Sequence, residues 1–217
     1  MSAMANAAET IASQSVTEVF LDSLMPCELT DLPDKARAVA VNDLLDMAGN
    51  CLAARQSDYM RALVGSCEDT GTCTAIGHAV PLRAADAAVV NGTGTHGEDF
   101  DDTLEGAPIR VGAMVIPAAL AAGERFGRTG ADTLRGIIFG LEAICRLNHV
   151  APGAIHKAGF HPVGVIGALG AAIAAGTTLR LTRLQMVGLA TGTSFEMPLS
   201  QEGIGDVVGL SGPHVNR

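Results

Sequence analysis

The longest apolar tract of the chain covers residues 163–176 and reads VGVIGALGAAIAAG. It gives way to Thr177 and Thr178, so it is too short to cross the roughly 30 Å hydrocarbon core of a bilayer. Each glycine inside a helix costs about 1 kcal/mol relative to alanine, so these glycines need a reason. They let a neighbouring helix or a ligand approach the backbone, and helix packing is the simpler reason. The tract therefore predicts a buried core helix.

Helical patterns continue outward from this tract in both directions. Thr129 and Asp132 form a capping box for a helix that runs to about residue 148, and Pro33 starts a long helix that ends near residue 55. Further helices are predicted at residues 11–25, 83–90, 113–126 and 182–191, whereas residues 66–79 indicate a loop or a short strand. The first of these helices carries one apolar side, made of Ile11, Val16, Val19, Phe20 and Leu24. Because no strand alternation or βαβ spacing recurs, the predicted fold class is all-α, a bundle-like helical domain.

Composition excludes several classes of protein. The chain has 217 residues, 48% of them hydrophobic but 3% aromatic, and a net charge of −9 that argues against nucleic acid or an anionic membrane as a partner. Its five cysteines are odd in number and form no CxxC pair, so neither structural zinc nor a disulfide framework is expected. The N-terminus has no basic start followed by an apolar run, so we expect no secretory signal and a cytoplasmic protein.

The stretch NGTGTHGEDFDDT, residues 91–103, breaks the apolar pattern with glycines and then crowds carboxylates around Phe100. Like charges held close together resist joint ionisation, so one acid could keep its proton near neutral pH and exchange it with a ligand. The alternative is a solvated acidic loop at a helix end. The same residues match the DxDxT pattern of aspartate-nucleophile phosphatases, but that chemistry needs a buried strand before the first aspartate, and none is predicted here.

Charge is distributed unevenly along the second half of the chain. No Asp or Glu occurs between Glu142 and Glu196, and the cationic or titratable residues in that gap are Arg146, His149, His156, Lys157, His161, Arg180 and Arg183. A pocket drawing on this region would favour di- or tricarboxylates. Alternatively, several of these residues stabilise helix C-termini. His161 lies in a loop before the core helix, where an imidazole can titrate near neutral pH or serve as a plain hydrogen-bonding group.

Taken together, these motifs resemble the MmgE/PrpD family. The resemblance rests on Pro33, on NGxxxHxxDFDDT at residues 91–103, on PAALA at 117–121, and on GFHPxG at 159–164 followed by GALGAA at 167–172. It implies a large all-α domain, with an α/β lid further along a chain about twice this length. It also implies metal-free and cofactor-independent chemistry next to a carboxylate, namely dehydration, decarboxylation or epimerisation by proton transfer, in a homodimer.

The resemblance assigns roles to particular residues. Asp99, Thr103 and His161 match the family's catalytic positions, with His161 as acid or base and Asp99 as proton carrier or orienter. Asp101 and Asp102 would order the loop, and His96 would either support the substrate-binding site or be structural. Arg110 or Ile109 stands where the family commonly has a histidine, and arginine cannot act as a base. Either the reaction differs from that of the better-known members, or this copy is inactive, or Arg110, with Lys157, holds substrate carboxylates.

The C-terminal residues depart from the family pattern. We expect residues 1–194 to form an incomplete MmgE/PrpD-like helical domain that stops before the lid, and residues 195–217 to form an irregular tail in which the family's lysine-containing segment cannot be placed. One reading is a lyase or isomerase that acts on a di- or tricarboxylic acid. The alternative is a truncated, non-catalytic remnant or a binding partner of a full-length paralogue.

Overall fold

The computed structural model describes residues 15–25, 27–107, 109–150 and 152–191. These residues form helices, one short strand and connecting loops, so the predicted all-α class is confirmed. The helices are α1 (Val16–Leu24), α2 (Asp34–Ala54), α3 (Asp58–Gly65), α4 (Ala84–His96), α5 (Gly112–Arg125), α6 (Gly130–Val150), α7 (Ala154–Lys157), α8 (Pro162–Thr178) and α9 (Arg183–Thr191). A 3₁₀ helix covers Leu29–Asp31, and strand β1 (Thr70–Cys73) forms antiparallel bridges with Leu82.

The helix starts follow from local capping chemistry. The hydroxyl of Thr129 accepts a hydrogen bond from the backbone N–H of Asp132, whose carboxylate accepts from the Thr129 N–H in return, as the sequence predicts. Pro33 is the N-cap residue of α2. Helices α3 and α7 are not predicted from the sequence, because α7 has four residues and α3 eight, too few for a clear apolar period.

The core forms around α5, which contacts α4, α6 and α8, while α6 packs along α8. Small residues allow this close approach: a side chain at Gly140 of α6 would come within 2.6 Å of Val115 and 2.8 Å of Ala174. The side of α8 that faces α5 and α6 is buried, which confirms the predicted core helix there, whereas Val165 and Leu169 on its other side are about half exposed.

Helix α4 continues six residues beyond its predicted end, so the predicted break at the glycines is wrong. A Cβ atom at Gly92 would lie 3.1 Å from the carbonyl oxygen of Ala113, and one at Gly94 would lie 3.4 Å from Cα of Cys51. These glycines therefore serve close packing of α4 between α2 and α5. As a result, His96 is the last residue of a packed helix instead of part of the loop that follows it.

The apolar side predicted for the first helix is partly wrong. Leu21 and Leu24 are the buried residues of α1, which packs against α9 and the Phe139 region of α6, whereas Val16 and Val19 are exposed. Ile11, also predicted for this side, lies outside the described residues. None of the helices among the described residues is both long and apolar enough to cross a bilayer. Residues 195–217, predicted to be an irregular tail, lie outside the described residues.

Candidate functional site

The loop between α4 and α5, residues 97–111, is fastened at both ends. At its start, the Tyr59 hydroxyl donates a 2.8 Å hydrogen bond to Glu98, and the tyrosine ring lies against Gly97. At its end, the carboxylate of Asp102 accepts hydrogen bonds from the backbone N–H groups of Val111 (3.2 Å) and Gly112 (2.9 Å), where α5 begins. The prediction that Asp102 orders the loop is therefore confirmed.

Arg110 lies between two of the loop's aspartates. Its Nη2 atom is 2.6 Å from Oδ1 of Asp99, and its Nη1 atom donates to the backbone carbonyl of Asp101 and lies 3.5 Å from Oδ1 of that residue. The Asp101 side chain has no exposed surface, whereas that of Asp99 is 77% exposed. The Arg110 guanidinium thus contacts a buried carboxylate, that of Asp101, and an exposed carboxylate, that of Asp99.

Two histidines meet next to this ion pair. Nδ1 of His96 is 2.9 Å from Oδ2 of Asp101, and the His96 and His161 rings are 6.1 Å apart, edge to face. An ionised carboxylate can only accept, so with Asp101 ionised the Nδ1–H of His96 donates this hydrogen bond. His161 is the exposed N-cap residue of α8. The structure therefore brings together Asp99, His96, Arg110 and His161 from three separate segments.

Two predicted site residues do not join this cluster. Thr103 and Lys157 are exposed, and neither side chain has a hydrogen bond or ion pair with another described residue. Lys157 lies at the end of the short helix α7, in the segment that leads to His161. Their assigned roles in catalysis and in carboxylate binding remain predictions.

Two carboxyl groups near this loop have a raised pKa, namely Asp102 of the crowded acidic stretch and Asp43, which lies outside it. Burial raises the pKa of Asp102, and the charges of Asp101 and Asp46 add to this effect against the lowering by its backbone hydrogen bonds. Burial, with the charges of Asp102 and Asp46, also raises the pKa of Asp43 on α2 to about 6. Sequence reasoning missed Asp43 because no local signal connects residue 43 with residue 102.

The cations of the acid-free stretch are mostly paired with acids from elsewhere in the chain. Arg146 binds Glu142 at 2.6 Å. Arg180 contacts Glu28 and Asp132, and Arg183 contacts Asp22 and Glu18, so all four carboxylates come from earlier in the chain. Arg146 therefore pairs within its own helix, and Arg180 and Arg183 pair with acids of other segments, which matches a structural role better than a shared positive pocket. His161 is the member of the group that contacts the site residue His96.

The same cluster contains atoms of the kind that bind divalent metals. One atom each from His96, Asp99 and Asp101 lie within 4.8 Å of one another. The guanidinium of Arg110, however, already supplies the positive charge between the two carboxylates. A metal ion would have to displace it, so these residues do not fit a resident metal, and chemistry without metal or cofactor remains the prediction.

Comparisons with known proteins identify the family of this helical domain. Residues 20–195 match the MmgE/PrpD N-terminal domain. Human cis-aconitate decarboxylase is 41% identical over 101 residues, which cover 44% of this chain and 21% of the human protein. The mouse cis-aconitate decarboxylase is 40% identical over 102 residues, or 20% of its length. The chain thus matches a limited part of longer relatives, and the match over most of its length shows that it belongs to the MmgE/PrpD family.

Proposed function

We propose that this protein transfers a proton at a carbon next to a carboxylate of a di- or tricarboxylic acid, as a cofactor-independent lyase or isomerase. The single observation that carries the proposal is the pair of neighbouring imidazoles, His96 and His161, of which His96 contacts Asp101, a partner of the Arg110 guanidinium. It places two groups that can move protons near neutral pH next to a fixed cation.

The chemistry requires these residue types. Removing a proton next to a carboxylate builds negative charge on that carboxylate, so the barrier falls when a positive group is already in place. Arg110 can supply that charge, and it can hold a carboxylate through two parallel hydrogen bonds. In an elimination or epimerisation, one imidazole withdraws a proton and the other delivers one, and Asp101 fixes the orientation of His96 for this purpose.

The remaining expected roles fit around this pair. Asp99, at the mouth of the site, would orient the substrate or carry a proton. Thr103 would hydrogen-bond a substrate oxygen, and Lys157 would bind a second carboxylate from the α7 end. Both side chains are exposed and are therefore accessible to a ligand.

The family and its relatives support the same class of reaction. Both relatives are named cis-aconitate decarboxylase, and a decarboxylase is a lyase that acts on a carboxylic acid. The choice among dehydration, decarboxylation and epimerisation depends on which substrate bonds lie near His161. The alternative of a non-catalytic remnant or binding partner predicts folded protein without turnover.

The proposal includes a homodimer in the cytoplasm. An apolar groove of about 370 Å³ lies along α1, α6 and α8 and includes the exposed Val16, Val150 and Leu169. Apolar surface of this kind supports self-association. Light scattering after gel filtration would give twice the mass of 22.1 kDa if the proposal is right, and a single chain mass if it is wrong.

Activity can be tested with a panel of cis-aconitate, citrate, methylcitrate and iminodisuccinate, followed by proton NMR. We expect turnover of at least one acid, and a loss of about 100-fold or more in His161→Ala, because general acid–base groups contribute 10²–10⁴-fold. His149→Ala is the matched control, since His149 is an exposed histidine at the end of α6 and lies outside the cluster. Equal turnover in His161→Ala and His149→Ala would contradict the proposal.

A further inference from the structure

The guanidinium of Arg110 is already engaged on two sides. Nη1 donates to the Asp101 carbonyl, and Nη2 is 2.6 Å from Oδ1 of Asp99 and 3.4 Å from its carbonyl oxygen. A substrate carboxylate that binds both terminal nitrogens must therefore compete with an acid of the protein itself.

Asp101 and Asp99 differ in how easily each can separate from the Arg110 guanidinium. The Asp101 side chain is fully buried, it accepts from His96, and its Oδ1 atom has no hydrogen-bond donor besides the nearby guanidinium. Removing Arg110 from Asp101 would strand a buried charge, which is costly. The Asp99 side chain is 77% exposed, so water can replace the guanidinium at small cost.

The backbone also marks Asp99 as the movable partner. Its φ angle is +58°, a left-handed conformation that side-chain-bearing residues adopt at an energetic cost. The neighbouring Phe100 side chain is 78% exposed, so it adds little packing that would hold Asp99 in place. Release of the Asp99 side chain therefore breaks its contact with Arg110 and leaves the Tyr59–Glu98 hydrogen bond intact.

We propose that Arg110 is a carboxylate receptor whose resting occupant is Asp99, and that a ligand carboxylate takes the Nη2 side and releases Asp99 into the mouth of the site. This inference rests on the proposed function for the nature of its ligand, a small dicarboxylate. In it, Arg110 keeps its inner contact to Asp101 throughout. Ligand binding and the freeing of Asp99 are then one event, which makes the Asp99 carboxylate available when substrate is present.

The test is binding of succinate to the full chain, measured by isothermal titration calorimetry. In Asp99→Asn the competitor has lost its charge, so succinate should bind about two- to fivefold more tightly than to the unaltered protein, as expected for loss of an exposed ion pair. Glu105→Gln removes one carboxylate from the same loop without touching Arg110 and should bind with nearly unchanged affinity. Succinamide, the neutral analogue, should not bind to any of these proteins.

A double-mutant cycle separates the receptor from general charge effects. Arg110→Gln should weaken succinate binding about tenfold or more, and adding Asp99→Asn to it should then give no gain. If Arg110→Gln does not fold, as circular dichroism would show, Asp99→Asn and Glu105→Gln alone decide the matter. Unchanged or weaker binding in Asp99→Asn, an equal gain in Glu105→Gln, or no succinate binding by either the unaltered protein or Asp99→Asn would overturn the proposal.

The result of the succinate-binding test does not depend on whether the protein is catalytically active. Tighter succinate binding in Asp99→Asn without turnover of any acid by the unaltered protein would support the receptor and contradict the proposed function. Turnover that depends on His161, together with weaker succinate binding in Asp99→Asn, would support the proposed function and contradict the receptor.

Discussion

Asp43→Asn should stabilise the protein at neutral pH. Asp43 lies partly buried on α2, where burial and the charges of Asp102 and Asp46 raise its pKa from an ordinary 3.8 to about 6. A carboxyl group whose pKa is higher in the folded than in the unfolded chain destabilises the folded state when it is ionised. Replacement by a neutral amide of nearly equal size removes that penalty.

The magnitude follows from the pKa difference. At 1.36 kcal/mol per pH unit, a rise from 3.8 to about 6 corresponds to about 3 kcal/mol at pH 7. Since Asp43 is partly exposed, water screens part of this, and we expect a gain of about 1–2 kcal/mol in the free energy of unfolding. The penalty is complete above pH 6 and absent below pH 3.8, so the gain should shrink as the pH falls through this window.

Urea unfolding followed by circular dichroism at pH 7 and pH 4.5 measures both values. Asp34→Asn is the control on the same helix, because Asp34 is an exposed first-turn acid paired with Arg37 and should lose a few tenths of a kcal/mol instead. If Asp43→Asn does not raise the free energy of unfolding at pH 7, or raises it more at pH 4.5 than at pH 7, the explanation based on the carboxylates of Asp43, Asp46 and Asp102 is refuted.

Three further predictions concern the elements that hold the site. Gly97→Ala should lower the free energy of unfolding by about 1–3 kcal/mol in a urea titration, because the added methyl would lie 2.5 Å from the Tyr59 hydroxyl; an unchanged midpoint would show that the ring moves freely. Asn91→Ala should cost about 1–3 kcal/mol by the same assay, since its buried amide bridges two backbone groups beside β1 at 2.8 Å; a smaller loss would mean that water replaces it. Cys51 should react with a thiol reagent far more slowly than the exposed Cys27, because burial raises the pKa of Cys51; equal rates in mass spectrometry would contradict its burial.

The sequence predicts the helices well where apolar spacing and capping agree. Thr129, Pro33 and the apolar tract at residues 163–176 each mark an element that the structure contains. It predicts the end of α4 wrongly, because glycines usually interrupt helices, and the gain from packing Gly92 and Gly94 against α5 and α2 is a tertiary effect. The buried side of α1 is also set by tertiary packing, so the sequence predicts it partly wrongly.

The sequence predicts part of the residue cluster and none of its contacts. Motif resemblance selects Asp99, His96 and His161; in the structure Asp99 pairs with Arg110, and His96 contacts both Asp101 and the His161 ring, whereas Thr103 and Lys157 lie apart from the cluster. The pairing of Arg110 with Asp99 and Asp101 could not be read from spacing, since the loop could have turned either way. The contribution of Asp43 requires a contact between α2 and the loop, for which the sequence carries no pattern.

Deuterium incorporation tests the central claim most directly. The unaltered chain would be incubated in deuterated buffer with each acid of the panel, and proton NMR would follow the signal of the carbon next to a carboxylate. The proposed site predicts that one acid loses that proton signal or forms product, and that His161→Ala abolishes the effect while His149→Ala retains it. A cooperatively folded protein that exchanges no such proton in any of the acids would contradict the claim.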